Sequence, residues 1–155
     1  MLTLCVILRV GVAWIVRRSI ERGVQQAKHY LSDVDIVVGF SWGGCVAADL
    51  LRRGLVVIGD EDRLTCAVVL IAPTTALVAS VALQTDVASV ITVCGPSRVH
   101  VFHGIHDEEF CPHANRWEQT GVTLHWCNDN HVFLRNESIQ ALLQTMSDLL
   151  ENRVV

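Results

Sequence analysis

The chain has 155 residues, of which 51% are hydrophobic and 18% are charged, and its formal net charge is −4. This length favours a single domain spanning residues 1–155, and the absence of a basic stripe with interleaved aromatic residues argues against a nucleic-acid-binding protein. Such an apolar composition predicts a sheet that is buried on both faces, as in a parallel sheet covered by helices.

The first 16 residues are apolar enough to suggest a signal sequence or a membrane anchor. However, Arg9 interrupts this run, no basic region precedes it, and Arg17 and Arg18 follow it. The run is also short for a membrane span, which needs about 20 residues. We therefore expect no stable insertion into a membrane.

Strands and helices are expected to alternate along the chain, because short apolar runs alternate with segments of helical periodicity. This order predicts the α/β fold class, with a mostly parallel sheet flanked by helices and right-handed crossovers. Arg17 and Arg18, like Arg52 and Arg53, are expected on solvated helix faces. The predicted elements are strands at Leu2–Leu8, Asp35–Phe40, Cys66–Ala72, Arg98–His103 and Val122–Cys127, and helices at Ser19–Leu31, Trp42–Arg53, Ala76–Leu83, Pro112–Thr120 and Ser138–Asn152.

The stretch from Gly39 to Gly44 reads G-F-S-W-G-G and lies between a predicted strand and a predicted helix. Strand, G-x-S-x-G and helix in this order are typical of a nucleophile elbow, a sharp turn that exposes a serine. We expect Gly39 and Gly43 to let the strand and the helix pass close together, with Gly44 giving further room. The start of the helix would direct its N–H groups towards Ser41, where negative charge would develop. An ordinary Gly/Ser turn is the alternative interpretation.

Three chemically suited side chains follow three different predicted strands, namely Ser41, Asp107 and His131. In open α/β sheets the ligand lies beyond the carboxyl ends of the strands. The order Ser, Asp, His along the chain is also the order in which one large class of serine hydrolases carries its catalytic triad.

In these motifs the sequence resembles the α/β-hydrolase superfamily, and most closely its small, lid-poor serine hydrolases. Residues 39–44 resemble the elbow, residues 103–107 with Pro112 resemble the H-G-x-x-D…P segment of the acid, and residues 128–133 resemble the D-x-H-x-F/L segment of the base. The resemblance extends from about Ser19 to the C-terminus. It implies a three-layer sandwich, a reduced form of the α/β-hydrolase fold.

The resemblance also implies a function and a role for each residue. Ser41 would be the nucleophile, His131 its general base and Asp107 the acid that orients the imidazole. The backbone N–H of Trp42 would be one donor of the oxyanion hole. The expected activity is cleavage of a small-molecule carboxylic ester, with a thioester or an amide as alternatives, in the cytoplasm and without a metal or an organic cofactor.

Other assignments of the same residues stay open. Asp107 could instead cap the helix region at Pro112, in which case three nearby acids could replace it in the triad: Glu108, Glu109 and Asp129. A metal site is a further alternative, formed by four residues: His103, His106, Asp107 and His113. Their spacing is not a strong zinc pattern. Cys111 and Cys127 lie close in sequence to the site and could make it sensitive to oxidation. The six cysteines of the chain are scattered and show no C-x-x-C spacing, which favours reduced thiols packed in the core.

The chain departs from the family pattern before the elbow. There the family places further strands and a loop, often marked His-Gly, that gives a second oxyanion donor. Two explanations of this departure compete. In the first, Leu2–Leu8 pairs beside the elbow strand and residues 9–11 supply the loop. In the second, the chain is shortened at its N-terminus. Loss of a central strand would leave an open sheet edge, which a homodimer could cover. The alternative interpretation is a non-catalytic relative of these hydrolases, which binds a partner or a small ligand in the same cleft.

Overall fold

The structure is a computed structural model, and it describes residues 2–56, 67–74, 96–111 and 114–151. In these residues, four parallel strands form one sheet in the order β1-β2-β3-β4, which confirms the predicted α/β class with a parallel sheet. The elements are α1 (Leu2–Ala27), a 3-10 helix (Lys28–Asp33), β1 (Ile36–Phe40), α2 (Trp42–Arg52), β2 (Ala67–Ile71), a 3-10 helix (Pro96–Arg98), β3 (Val99–Gly104), a 3-10 helix (Ala114–Thr120), β4 (Thr123–Cys127) and α3 (Asn136–Glu151).

Helices cover both faces of the sheet, and β2 shows this most clearly. All five residues of β2 are buried. Val68 and Leu70 belong to the core beneath α1 and α2, whereas Val69 and Ile71 belong to the core beneath α3. Because successive side chains of a strand point to opposite faces, a strand between two helical layers must be apolar at every position.

The segment Leu2–Leu8 is helical and is the first part of α1, so its prediction as a strand is wrong. A short apolar run has no period that separates a strand from a buried helix. Apart from the lone Gly11, no turn residue interrupts the chain between this run and the amphipathic part of α1. The proposed pairing of Leu2–Leu8 beside the elbow strand is therefore also wrong.

Strand β1 lies at one edge of the sheet, and β2 is its only partner strand in the part of the chain that the structure describes. The side chains of Val38 and Phe40 on this strand are 46% and 45% exposed. A homodimer that covers this edge stays a prediction.

A cluster of charges joins α1 to α2. The carboxylate of Asp49, which is buried, accepts hydrogen bonds from Arg52 Nε at 2.6 Å and from Arg53 Nε at 2.9 Å. Arg53 also reaches across to α1, where its Nη1 donates to Glu21 Oε1 at 3.1 Å. Arg53 is exposed and Arg52 is half-buried, so both reach solvent as predicted, and in addition they pair with a buried carboxylate, which requires such cations.

Other predictions on the helices differ in type or lie outside the described residues. The segment before β4 forms a 3-10 helix from Ala114 to Thr120, in which the Thr120 hydroxyl donates to the Trp117 carbonyl at 2.7 Å. The predicted helix at Ala76–Leu83 lies outside the described residues.

Within the described ranges, no helix has the length and apolar character that crossing a membrane requires.

We expect Glu21→Gln to lower the free energy of unfolding at neutral pH by up to about 1 kcal/mol, the usual range for a partly exposed ion pair. The hydrogen bond from Arg53 lowers the pKa of Glu21 from 4.5 to about 2. A depressed carboxyl pKa stabilises the folded state above the unfolded-state pKa, and this stabilisation is lost as the pH falls towards the folded-state pKa. The difference from the wild type should therefore shrink below about pH 4.5.

Urea denaturation over a pH series measures this difference, with the exposed Glu118→Gln as the control. A difference that stayed constant as the solution was acidified would contradict the assignment to the Glu21–Arg53 pair.

Candidate active site

Ser41 occupies the turn between β1 and α2 in a strained backbone conformation. Its φ is 50° and its ψ is −113°, a combination that non-glycine residues adopt only where the surroundings impose it. Two hydrogen bonds hold the turn: Ser41 N donates to the Ile71 carbonyl at 2.8 Å, and Gly44 N donates to the Ser41 carbonyl at 3.0 Å. The turn is thus fixed to the neighbouring strand and to the helix that follows it.

The glycines around Ser41 differ in their roles. A Cβ atom on Gly39 would lie 2.7 Å from the Gly43 carbonyl oxygen, and one on Gly44 would lie 2.8 Å from Pro73 Cβ. Both positions therefore require glycine, as the sequence predicted. A Cβ atom on Gly43 would meet nothing within 4 Å, so the expected need for glycine there is wrong. Gly43 approaches Gly39 through its backbone carbonyl, so a side chain on Gly43 would not disturb this contact.

The three predicted catalytic side chains meet in one hydrogen-bonded chain. Ser41 Oγ lies 2.8 Å from His131 Nε2, and His131 Nδ1 lies 2.7 Å from Asp107 Oδ2. The side chain of Asp107 is 1% exposed and that of His131 is 19% exposed. The acid is thus shielded from water, whereas the histidine is reachable at the surface.

The acids that could have replaced Asp107 lie elsewhere. Glu108 and Glu109 are exposed. Asp129 is buried, and its carboxylate accepts hydrogen bonds from the backbone N–H groups of Asn130 and Arg135, each at 2.9 Å. Although burial raises the pKa of Asp129, the N–H groups of Arg135 and Asn130 lower it, and the net shift is downwards. Asp129 therefore fixes the loop that carries His131.

That loop lies directly against the end of β3. His106 N donates to the Asp129 carbonyl at 3.1 Å, and Ile105 N donates to the Cys127 carbonyl at 2.9 Å. A Cβ atom on Gly104 would lie 2.5 Å from the Asp129 carbonyl oxygen. Gly104 thus allows the turn with the acid and the loop with the base to touch, a role that the sequence analysis did not assign to it.

Two phenylalanines flank the histidine. The ring centroid of Phe110 lies 4.7 Å from that of His131, and the ring centroid of Phe40 lies 5.8 Å from it. Both phenylalanines are partly exposed, so they form an apolar mouth beside His131. The sequence analysis missed them, although Phe40 directly precedes Ser41.

Trp42 is the first residue of α2, so its backbone N–H belongs to the first turn, whose amides have no partner within the helix. This position suits the oxyanion role predicted for it. Among the residues that the structure describes, we identify no second donor for such a hole.

The cysteines described near the site are free and buried: Cys45, Cys111 and Cys127. Burial raises the pKa of the Cys45 thiol to about 11 and also raises the pKa of Cys111 and of Cys127. Since the thiolate is the reactive form, these shifts argue against the sensitivity to oxidation considered for Cys111 and Cys127.

The metal set imagined from the sequence does not assemble as a whole. His106 Nε2 lies 3.0 Å from Asn128 Oδ1 on the surface, and His113 lies outside the described residues. His103 is buried beside Asp107, and burial lowers its pKa to about 4. A third residue, Cys111, joins His103 and Asp107 instead.

No protein-family model matches the chain, and no curated protein matches its sequence. Among solved structures, the chain is similar to an uncharacterized protein from Bacillus cereus ATCC 10987, with a TM-score of 0.58 and 16% identity over 84% of the chain. A capsule O-acetyltransferase of Neisseria meningitidis serogroup A gives a TM-score of 0.47 and 13% identity over 83% of the chain. The chain spans 44% of the first protein and 62% of the second. The first likeness shows the α/β fold alone.

The two glycines of the elbow give a matched test of its packing. Gly39→Ala places a methyl group within 2.7–2.9 Å of backbone atoms, so we expect a loss of roughly 1–3 kcal/mol in the free energy of unfolding. Gly43→Ala enters open space within a helix and should be neutral or stabilise the protein by about 0.5–1 kcal/mol. Denaturant unfolding of both variants measures the difference, and equal losses would contradict this description of the elbow.

Proposed function

We propose that the protein is a serine hydrolase of the α/β-hydrolase type that cleaves a small carboxylic ester, with a thioester or an amide as alternatives. The observation that carries the proposal is the hydrogen-bonded chain from Ser41 Oγ through His131 to Asp107. A strained serine at a strand-to-helix turn supports it independently.

The first half of the reaction forms an acyl-enzyme. His131 Nε2 takes the proton of Ser41 Oγ as this oxygen attacks the carbonyl carbon of the ester. The carbonyl oxygen becomes an oxyanion, which the backbone N–H of Trp42 stabilises. The tetrahedral intermediate then collapses, and the proton on His131 passes to the departing alcohol.

The second half regenerates the enzyme. A water molecule gives its proton to His131 Nε2 and attacks the acyl carbon, and the serine leaves with that proton while the carboxylic acid departs. In both halves Asp107 accepts a hydrogen bond from His131 Nδ1, which selects the productive tautomer and stabilises the imidazolium. The burial of Asp107 strengthens this interaction, because the local dielectric constant is low.

The surroundings of the triad favour a substrate with an apolar group beside the scissile bond. Phe40 and Phe110 form the mouth of the site next to His131. The residues of the triad need neither a metal nor an organic cofactor for this chemistry. The free, buried thiols described above support a reducing compartment, such as the cytoplasm.

A fluorophosphonate probe tests the nucleophile, because it phosphonylates a serine that an adjacent base activates. We expect one label on each wild-type chain and none on Ser41→Ala. His131→Ala should slow labelling by about 10²–10⁴-fold, the usual contribution of general base catalysis. The control is His106→Ala, which removes an exposed histidine outside the triad and should label as the wild type does.

Hydrolysis of short-chain aryl esters by the same variants tests turnover. Folded wild-type protein that resisted the probe and left the esters intact would reject the hydrolase and favour the non-catalytic binding module. Ester hydrolysis that survived His131→Ala would reject the role of the triad.

A further inference from the structure

Three buried side chains converge behind the histidine of the triad. His103, Asp107 and Cys111 are 1%, 5% and 4% exposed. Each offers one atom that can bind a metal, and these three atoms lie within 4.8 Å of one another. The set joins the end of β3 to the turn that follows it.

Polar atoms of this cluster lack partners in the described residues. Neither Nδ1 nor Nε2 of His103 has a hydrogen bond, and neither does Asp107 Oδ1. Buried polar atoms in proteins are nearly always satisfied by protein groups, ordered water or ions, so an imidazole with both nitrogens unsatisfied beside an unsatisfied carboxylate oxygen marks a place where a water or an ion can bind. A cation bound between them would satisfy a histidine nitrogen and the carboxylate oxygen together.

The chemistry of the donors selects the class of cation. Imidazole nitrogen, thiolate sulfur and carboxylate oxygen are the ligands of zinc, with bonds of roughly 2.0–2.3 Å. Mg²⁺ and Ca²⁺ prefer all-oxygen shells, and this cluster offers a single unpaired oxygen. Donor atoms in a tetrahedral zinc site lie roughly 3.3–3.8 Å apart, so a small inward movement of the side chains completes the geometry.

We infer that His103, Asp107 and Cys111 form a binding site for one divalent cation of the zinc class. On binding, the Cys111 thiol releases its proton to solvent and exchanges its contacts with the Pro73 carbonyl, at 3.5 Å, and with His131 Nδ1, at 3.9 Å, for a bond to the metal. Three protein ligands leave one coordination position open.

The site shares Asp107 with the triad, which gives it a regulatory consequence. Oδ1 of Asp107 faces the cation while Oδ2 contacts His131 Nδ1. A cation on Oδ1 draws the negative charge of the carboxylate towards the metal and weakens the hydrogen bond, 2.7 Å long, by which Oδ2 orients the His131 ring. Occupancy by zinc therefore inhibits the enzyme. This inhibition rests on the proposed function, whereas the binding does not.

Binding is tested on protein stripped with a chelator, by zinc titration against a chromophoric chelator and by the absorption spectrum with Co²⁺. We expect one metal per chain and a thiolate-to-Co²⁺ charge-transfer band. Cys111→Ser should lose this band and bind zinc at least about 10-fold more weakly, in line with the loss of a ligand. Cys127→Ser, which removes a buried thiol outside the cluster, is the matched control and should keep both.

Ser41→Ala keeps all three ligands and should bind the metal as the wild type does. The metal site can therefore be tested independently of the proposed hydrolase activity. His103→Gln provides a second ligand variant should Cys111→Ser fail to fold. Stripped wild-type protein that took up no stoichiometric metal, or a Co²⁺ spectrum without the thiolate band, would overturn the site.

Inhibition is tested by fluorophosphonate labelling with and without zinc. The labelling rate of the wild type should fall by at least about 10-fold in zinc, as expected when general base catalysis is impaired, and recover with chelator. The rate of Cys111→Ser should differ far less between the two conditions. Equal inhibition of both proteins would show that zinc acts on Ser41 and His131 directly and would refute the regulatory role.

Discussion

The backbone of Ser41 is held at φ 50° by contacts on both sides of the turn, and the arrangement of the site depends on this constraint. The hydrogen bond from Ser41 N to the Ile71 carbonyl fixes the turn to β2, and Gly39 and Gly44 bring β1, α2 and Pro73 into contact. Relaxing the turn into an ordinary conformation would rotate the hydroxyl away from His131. The strained backbone of Ser41 is therefore maintained by several contacts together, and not by any single residue.

The parallel register explains how residues so far apart in sequence reach one another. Phe40, Ile71 and Phe102 lie level across β1, β2 and β3, and His125 continues the row on β4. Strands are about 4.8 Å apart, so roughly 14 Å separates β1 from β4. The loop after β4 carries His131 back to Ser41 at the end of β1. The turn that carries the acid is hydrogen-bonded to this loop through His106 N, so the histidine meets Asp107 as well.

The parts of the structure that could be predicted from the sequence are those that local chemistry determines. A strand, a G-x-S-x-G turn and a helix form one contiguous signal, and the acid and the base each follow their own strand. Leu2–Leu8 could not be predicted, because a short apolar run suits a strand or a helix equally. The pairing of Arg52 and Arg53 with Asp49 depends on the burial of that carboxylate, and the grouping of Cys111 with His103 depends on how the turn after β3 folds back. The spacing of Asp49 from the two arginines is visible in the sequence, but the burial of that carboxylate and the grouping of Cys111 with His103 are not.

The position of β1 at the sheet edge has a consequence for how such a chain can diverge. In the described residues, the strand that ends at Ser41 is also one of the two edge strands of the sheet, and its outer side has no partner strand. An extended segment added alongside β1 would run past Phe40 to the rim of the candidate site. Gain or loss of that neighbour would change what can approach Ser41 and leave the serine, the base and the acid in place. In the proposed hydrolase, substrate range can therefore evolve by adding backbone at an edge, without exchange of Ser41, Asp107 or His131.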